Sequence, residues 1–143
     1  MHYMTMPLSI RFEPGLLARL RARASATAGG NTSALLQRLV DEGLRMADHP
    51  GVVFKDGPTG RRAALAYGPD VWEIVRFLRE VDERGPAALD AAAEVFAIDV
   101  HRITTAVSYY GDYGDEIDAE IATADEASVR AEQAWRVQQR LIA

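Results

Sequence analysis

Residues 7–44 read PLSIRFEPGLLARLRARASATAGGNTSALLQRLVDEGL, and the fold turns on how this stretch is read. Leu8, Ile10 and Phe12 alternate with Ser9 and Arg11, the period-2 pattern of a half-buried strand. Pro14-Gly15 ends that strand and opens a helix, proline being suited to a first turn. Leu16, Leu17, Leu20 and Ala24 share one side of this helix, which leaves Arg19, Arg21 and Arg23 as a solvated face. Gly29-Gly30 breaks it, and Asn31, Thr32 and Ser33 are candidate N-caps for the next helix. The apolar side of that second helix is Leu35, Leu36, Leu39, Val40 and Leu44, with an expected end near Met46.

A single six-residue strand cannot satisfy its own backbone or bury its own face. The next candidate strand lies some forty residues on, so the simplest partner is the same strand of a second subunit. Two copies then form an antiparallel ribbon about a two-fold axis with four helices beneath it. Leu8, Ile10, Phe12, Leu36, Leu39 and Val40 are the expected dimer core. Ser9 and Arg11 face outward on a surface narrow enough for a major groove, where arginine bonds guanine bidentately.

Residues 5–46 resemble the ribbon-helix-helix (MetJ/Arc/CopG-type) family in the alternating strand, the Pro-initiated helix, the Gly turn and the run Asn-Thr-Ser-Ala-Leu-Leu. The resemblance implies DNA reading from the strand positions Pro7, Ser9 and Arg11, with Pro7 a departure because it has no N–H to donate. It also implies phosphate contact by Asn31, Thr32 and Ser33, where a helix N-terminus favours an anion. The expected first domain, for DNA binding and dimerisation, is 5–47.

His49-Pro50-Gly51 marks a module boundary. Val52–Phe54 and Arg61–Leu65 flank Asp56-Gly57-Pro58-Thr59-Gly60 and predict a β-hairpin. Gly68-Pro69-Asp70 opens a helix whose expected buried side is Val71, Trp72, Val75, Phe77 and Leu78. Gly85-Pro86 precedes an Ala-rich helix over 87–96. Asp99 is a candidate N-cap for another helix, which ends near Tyr110. These helices have helix-turn-helix proportions, but His101, Arg102, Thr104, Thr105 and Ser108 make a thin recognition surface, so packing between modules is expected. Residues 49–121 resemble a small bacterial domain-of-unknown-function family that recurs in antitoxins. The marks are His49-Pro50-Gly51, Gly60-Arg61, Val71-Trp72, Ser108-Tyr109-Tyr110 and Asp115-Glu116-Ile117-Asp118. Residues 49–113 are the expected hairpin and tri-helical module. Gly111 and Gly114 interrupt the pattern before a C-terminal partner-binding helix over 114–143. The overall class is mostly α.

The formal charge is −5 over 143 residues, which taken whole argues against nucleic acid. It is unevenly spread. Residues 1–50 hold six arginines against four carboxylates, and residues 111–143 hold three arginines against eight. Zero cysteines exclude disulfides and thiolate chemistry, which suits a cytoplasmic protein. No secretory signal and no membrane span are expected. His2, His49 and His101 have no zinc-ligand spacing, and no nucleophile elbow, P-loop or dinucleotide motif occurs. No catalytic residue, metal or cofactor is expected. Asp112, Asp115, Glu116 and Asp118 read as the charged start of the last helix.

That helix carries few large apolar groups: Ile117, Ile121, Val129, Trp135, Val137, Leu141 and Ile142. Trp135 with Arg130, Arg136 and Arg140 has the composition of an interface hot spot. A DNA-binding ribbon, a connecting module and such a tail together look like a type II antitoxin of the VapB kind, which neutralises PIN-domain ribonucleases. The resemblance implies operator DNA and a cognate toxin as partners, toxin contact by Arg130, Trp135, Arg136 and Arg140, and a homodimer or higher even oligomer. The alternatives are a stand-alone ribbon-helix-helix transcriptional regulator with an effector-binding or oligomerising C-terminal half, and an assembly adaptor.

Overall fold

The computed structural model describes residues 5–27 and 29–143; His2 lies outside them. The order is α1 (Pro14–Thr27), α2 (Thr32–Asp48), β1 (Val52–Gly57), β2 (Gly60–Leu65), α3 (Val71–Glu80), α4 (Pro86–Phe96) and α5 (Val100–Ile142). The chain is thus mostly helical with one two-stranded antiparallel sheet. It divides into two compact units between Gly43 and Leu44.

In the first unit, residues 5–13 form neither helix nor strand. The strand expected from the alternation of Leu8, Ile10 and Phe12 is therefore not seen, and among the described residues no strand pairs with this segment. Leu20, Ala24 and Leu35 are the buried core, with Phe12, Leu17 and Leu36 packed partly against them. Gly29 and Gly30 both take positive φ, and the Gly30 amide donates to the Ala24 carbonyl at 2.9 Å to close α1. Asn31 caps α2, its Oδ1 accepting from the Ala34 amide at 3.0 Å.

The second unit is built on the hairpin. Val52 pairs with Leu65 and Phe54 with Ala63, so one sheet face is apolar; Lys55 pairs with Arg62 on the other. Pro58 and Thr59 make the turn between β1 and β2. Asp70 stands at the N-cap of α3, where Glu73 accepts from its amide at 2.8 Å. The buried residues of α3 are Val71, Ile74 and Val75, whereas Trp72, Phe77 and Leu78 are only partly covered, so the core-facing side is rotated toward Ile74. α4 presents Ala88 and Ala92 inward and ends at Ala97 in the left-handed conformation. Asp99 caps α5 by accepting from the His101 amide at 2.8 Å.

α5 is two helices joined across a kink, and the kink falls at Tyr113, between Gly111 and Gly114, where the interruption is expected. Only Tyr113 departs from helical geometry, at φ −129° and ψ 36°. A mid-helix glycine costs about 1 kcal/mol, and burial of Tyr109, Ile117 and Ile121 on the two sides of the break offsets that cost.

Asp70 also joins the hairpin to α3. Its side chain is 7% exposed and meets Lys55 Nζ at 3.0 Å and the Arg62 guanidinium. Trp72 Nε1 donates to the same carboxylate at 3.0 Å. A methyl group at Gly57 would occupy the place of that guanidinium, which explains a glycine there. Replacing Asp70 with Ala leaves the partly buried Arg62 without its carboxylate, and we expect a loss of about 2–4 kcal/mol in urea unfolding. A loss below about 1 kcal/mol would show that Lys55 and Arg62 find water instead.

Candidate functional site

Ser9 and Arg11 lie fully at the surface of the first unit, and Arg11 makes no ion pair among the described residues. Asn31 and Ser33 are exposed and Thr32 is partly covered. Asn31 satisfies one first-turn N–H of α2, and the remaining ones are open to water or an anion. Around them the unit leaves much apolar surface uncovered: Leu8 is 85% exposed, Ile10 61%, Leu39 44% and Val40 53%. Phe12 and Leu36 are half-buried within the single chain. Arg19, Arg21 and Arg23 face solvent, as their helix position predicts.

The second unit holds a polar network that sequence reasoning missed. Arg45 donates to Tyr109 Oη at 2.9 Å and to Glu116 Oε2 at 2.8 Å, and its guanidinium lies 4.0 Å over the Tyr113 ring. Tyr109 in turn donates to Glu116 at 3.3 Å. His49, buried beside the Tyr109 and Tyr113 rings, shares a 2.7 Å hydrogen bond with Asp112. Burial lowers the Arg45 pKa, but the bonds to Tyr109 and Glu116 outweigh it and the net shift is upward. Burial raises that of Tyr109, partly opposed by Arg45. Arg45 carried no local signal, because its acceptors stand more than sixty residues away.

The acidic cluster lies at the kink, with Asp115, Glu116 and Asp118 just after Tyr113 as expected of a helix start, and most of it serves tertiary pairing. Asp112 meets His49, Glu116 meets Arg45, and Asp118 meets Arg79. Tyr110 Oη donates to Asp118 at 2.9 Å, and Arg76 pairs with Asp125 at 3.0 Å. Among the described residues no group of three or more His, Cys, Asp or Glu is placed to hold a metal ion. No helix among them is long and apolar enough to cross a membrane.

Residues 128–143 are exposed throughout. At 3.6 residues per turn Trp135 stands about 100° from Arg136 and about 140° from Arg130 and Arg140. Neighbours in sequence, they do not share one face. Arg136 pairs with Glu132 at 2.6 Å, and Trp135 is 58% exposed.

Comparison with protein-family models, with curated proteins and with solved structures returns no match for this chain.

Glu120 provides a pH test of the network. One of its carboxylate oxygens is buried without a hydrogen bond. Burial first, then Glu116 and Asp70, push its pKa from 4.5 to about 7, against Arg62 and Arg45. The folded protein therefore holds this proton more tightly than the unfolded chain. Stability is undiminished below about pH 4.5, falls as pH rises, and carries the full penalty above about 7. Glu120→Gln should melt higher than the parent above pH 7 and flatten the slope between those values. Equal melting temperatures across pH 5–8 would mean the carboxylate is solvated.

Proposed function

We propose that the chain is the antitoxin of a type II toxin–antitoxin pair. It binds operator DNA as a dimer through residues 5–47 and neutralises a toxin of the PIN-domain ribonuclease kind through its C-terminal part. The exposure of Leu8, Ile10, Leu39 and Val40 beside a core of only three buried side chains carries this reading. A unit so small and so incompletely covered gains a core when a second copy closes over it. Pairing the two 7–12 segments antiparallel turns Ser9 and Arg11 outward together and brings two α2 N-termini to the same side. Arginine in a major groove reads guanine, and the helix ends meet flanking phosphates.

Arg130, Arg136 and Arg140 suit the toxin end. A metal-dependent ribonuclease concentrates carboxylates at its centre, and a guanidinium competes there with metal or substrate phosphate. A stand-alone regulator with an oligomerising C-terminal half is the second reading, favoured by the uncharged side of the tail opposite those arginines.

Arg11→Ala should weaken binding to operator DNA by about 1–3 kcal/mol in fluorescence anisotropy. The parent should show a log–log salt slope of about 0.9 per phosphate neutralised. The product of the adjacent gene should co-purify with the parent chain and be lost with Arg136→Glu. Salt-insensitive association, or co-purification unchanged by Arg136→Glu, would overturn the corresponding half of the reading.

A further inference from the structure

α5 outlasts the unit that supports it. Ile117 and Ile121 are buried on that unit's core, and Ala124 and Ala127 are partly covered. Beyond them the helix continues to Ile142 with every residue exposed. An isolated helix of such length is marginal in water unless a partner covers one side. Residues 124, 127, 128, 131, 134, 135, 138, 141 and 142 span an arc of about 140° at 3.6 residues per turn. The residues there are Ala, Ala, Ser, Ala, Ala, Trp, Gln, Leu and Ile, with no charge among them. Arg130, Arg136, Arg140, Asp125, Glu126 and Glu132 all lie on the other side.

The buried spacing of 117 and 121 continues through 124, 128, 131, 135, 138 and 142 as alternating steps of three and four, the seam of a two-helix coil. Its side chains are small in the first half and large in the second. In a parallel pair Ala124, Ser128 and Ala131 would face their own copies across a void, and Trp135 would meet Trp135. In an antiparallel pair centred near residue 133, Ile142 faces Ala124, Trp135 faces Ala131 and Leu141 faces Ala127. Gln138 then meets Ser128, two polar side chains that can hydrogen-bond. Every large group is placed against a small one. Glu132 comes near its own copy but is already paired with Arg136 at 2.6 Å.

We propose that the end of α5, over residues 124–142, pairs antiparallel with the same segment of a second copy of this chain through its uncharged side. Trp135, 58% exposed, and Ile142, 73% exposed, become the main buried groups, and the arginines stay outward for another partner. This pairing is independent of the N-terminal ribbon and stands whether or not the ribbon binds DNA.

The chain has no cysteine, so single introduced thiols report proximity cleanly. In the full-length protein, oxidised and run on a denaturing non-reducing gel, Ala134→Cys lies near the two-fold and should shift from 15.7 kDa to a covalent dimer. Ala124→Cys and Ile142→Cys should each stay at single-chain mass, whereas Ala124→Cys/Ile142→Cys should form the covalent dimer. Gln133→Cys, at the same level but on the charged side, should not crosslink. Crosslinking of Ala124→Cys alone would mean a parallel pair, and crosslinking of Gln133→Cys to the extent of Ala134→Cys would mean random collision. Either result overturns the proposal, as does a single-chain band from Ala134→Cys or from the double variant.

Discussion

A carboxylate with almost no exposure has to be met by cations and donors, and in the second unit Asp70 sets that requirement. Lys55 and Arg62 answer it from adjacent strands, where their direct pairing places both on one sheet face. Slipping the hairpin by one residue would turn one of them toward the apolar face and leave the carboxylate short of charge. A buried ion pair contributes little net stability against an apolar replacement. Here it excludes wrong registers, while the face bearing Val52, Phe54, Ala63 and Leu65 supplies the burial. The same carboxylate is the N-cap of α3, so strand register and helix start are set together.

The requirement extends along α5. Glu116, Asp118 and Asp125 each meet an arginine of α2 or α3, and Asp112 is hydrogen-bonded to His49. Successive partners thus hold the end of α2 and the length of α3 against α5 on both sides of its kink. The excess of eight carboxylates over three arginines in residues 111–143 therefore overstates the field of that segment, since Arg45, Arg76 and Arg79 from outside it pair with three of the carboxylates. Glu120 is the exception: it sits among both signs with one oxygen unbonded, and holds a proton near neutrality.

Features whose cause is local were legible in the sequence. The hairpin, the Gly29-Gly30 break, the helix start at Gly68-Pro69-Asp70 and the caps at Asn31 and Asp99 follow from turn and capping chemistry within a few residues. Features whose cause is tertiary were not. Arg45 and His49 look like an ordinary charged residue and a turn histidine until α5 brings Glu116 and Asp112 to them. The break read at Gly111 and Gly114 belongs with the local signals, since α5 kinks at Tyr113 between them. The alternation of Leu8, Ile10 and Phe12 lies between these cases. It has the period of a strand, but a strand forms only against a partner, and among the described residues none lies beside it.

Uncovered apolar surface at the two ends of the chain has different origins. In the first unit the core is too small for the apolar groups attached to it; in the tail a helix runs past its neighbours. In the proposed pairings a second copy meets each deficit, but nothing requires it to be the same copy. If one two-fold axis serves both contacts, a closed dimer results; if the axes differ, dimers link into longer assemblies. The distinction bears on DNA. Residues 1–50 carry a net charge of only +2 per chain, so in the proposed reading one ribbon neutralises few phosphates and binds DNA weakly on its own. Ribbons linked side by side multiply those contacts without any new residue, through effective concentration alone. A weakly basic front and a self-pairing tail are then complementary properties, because the second contact raises the affinity that the first lacks.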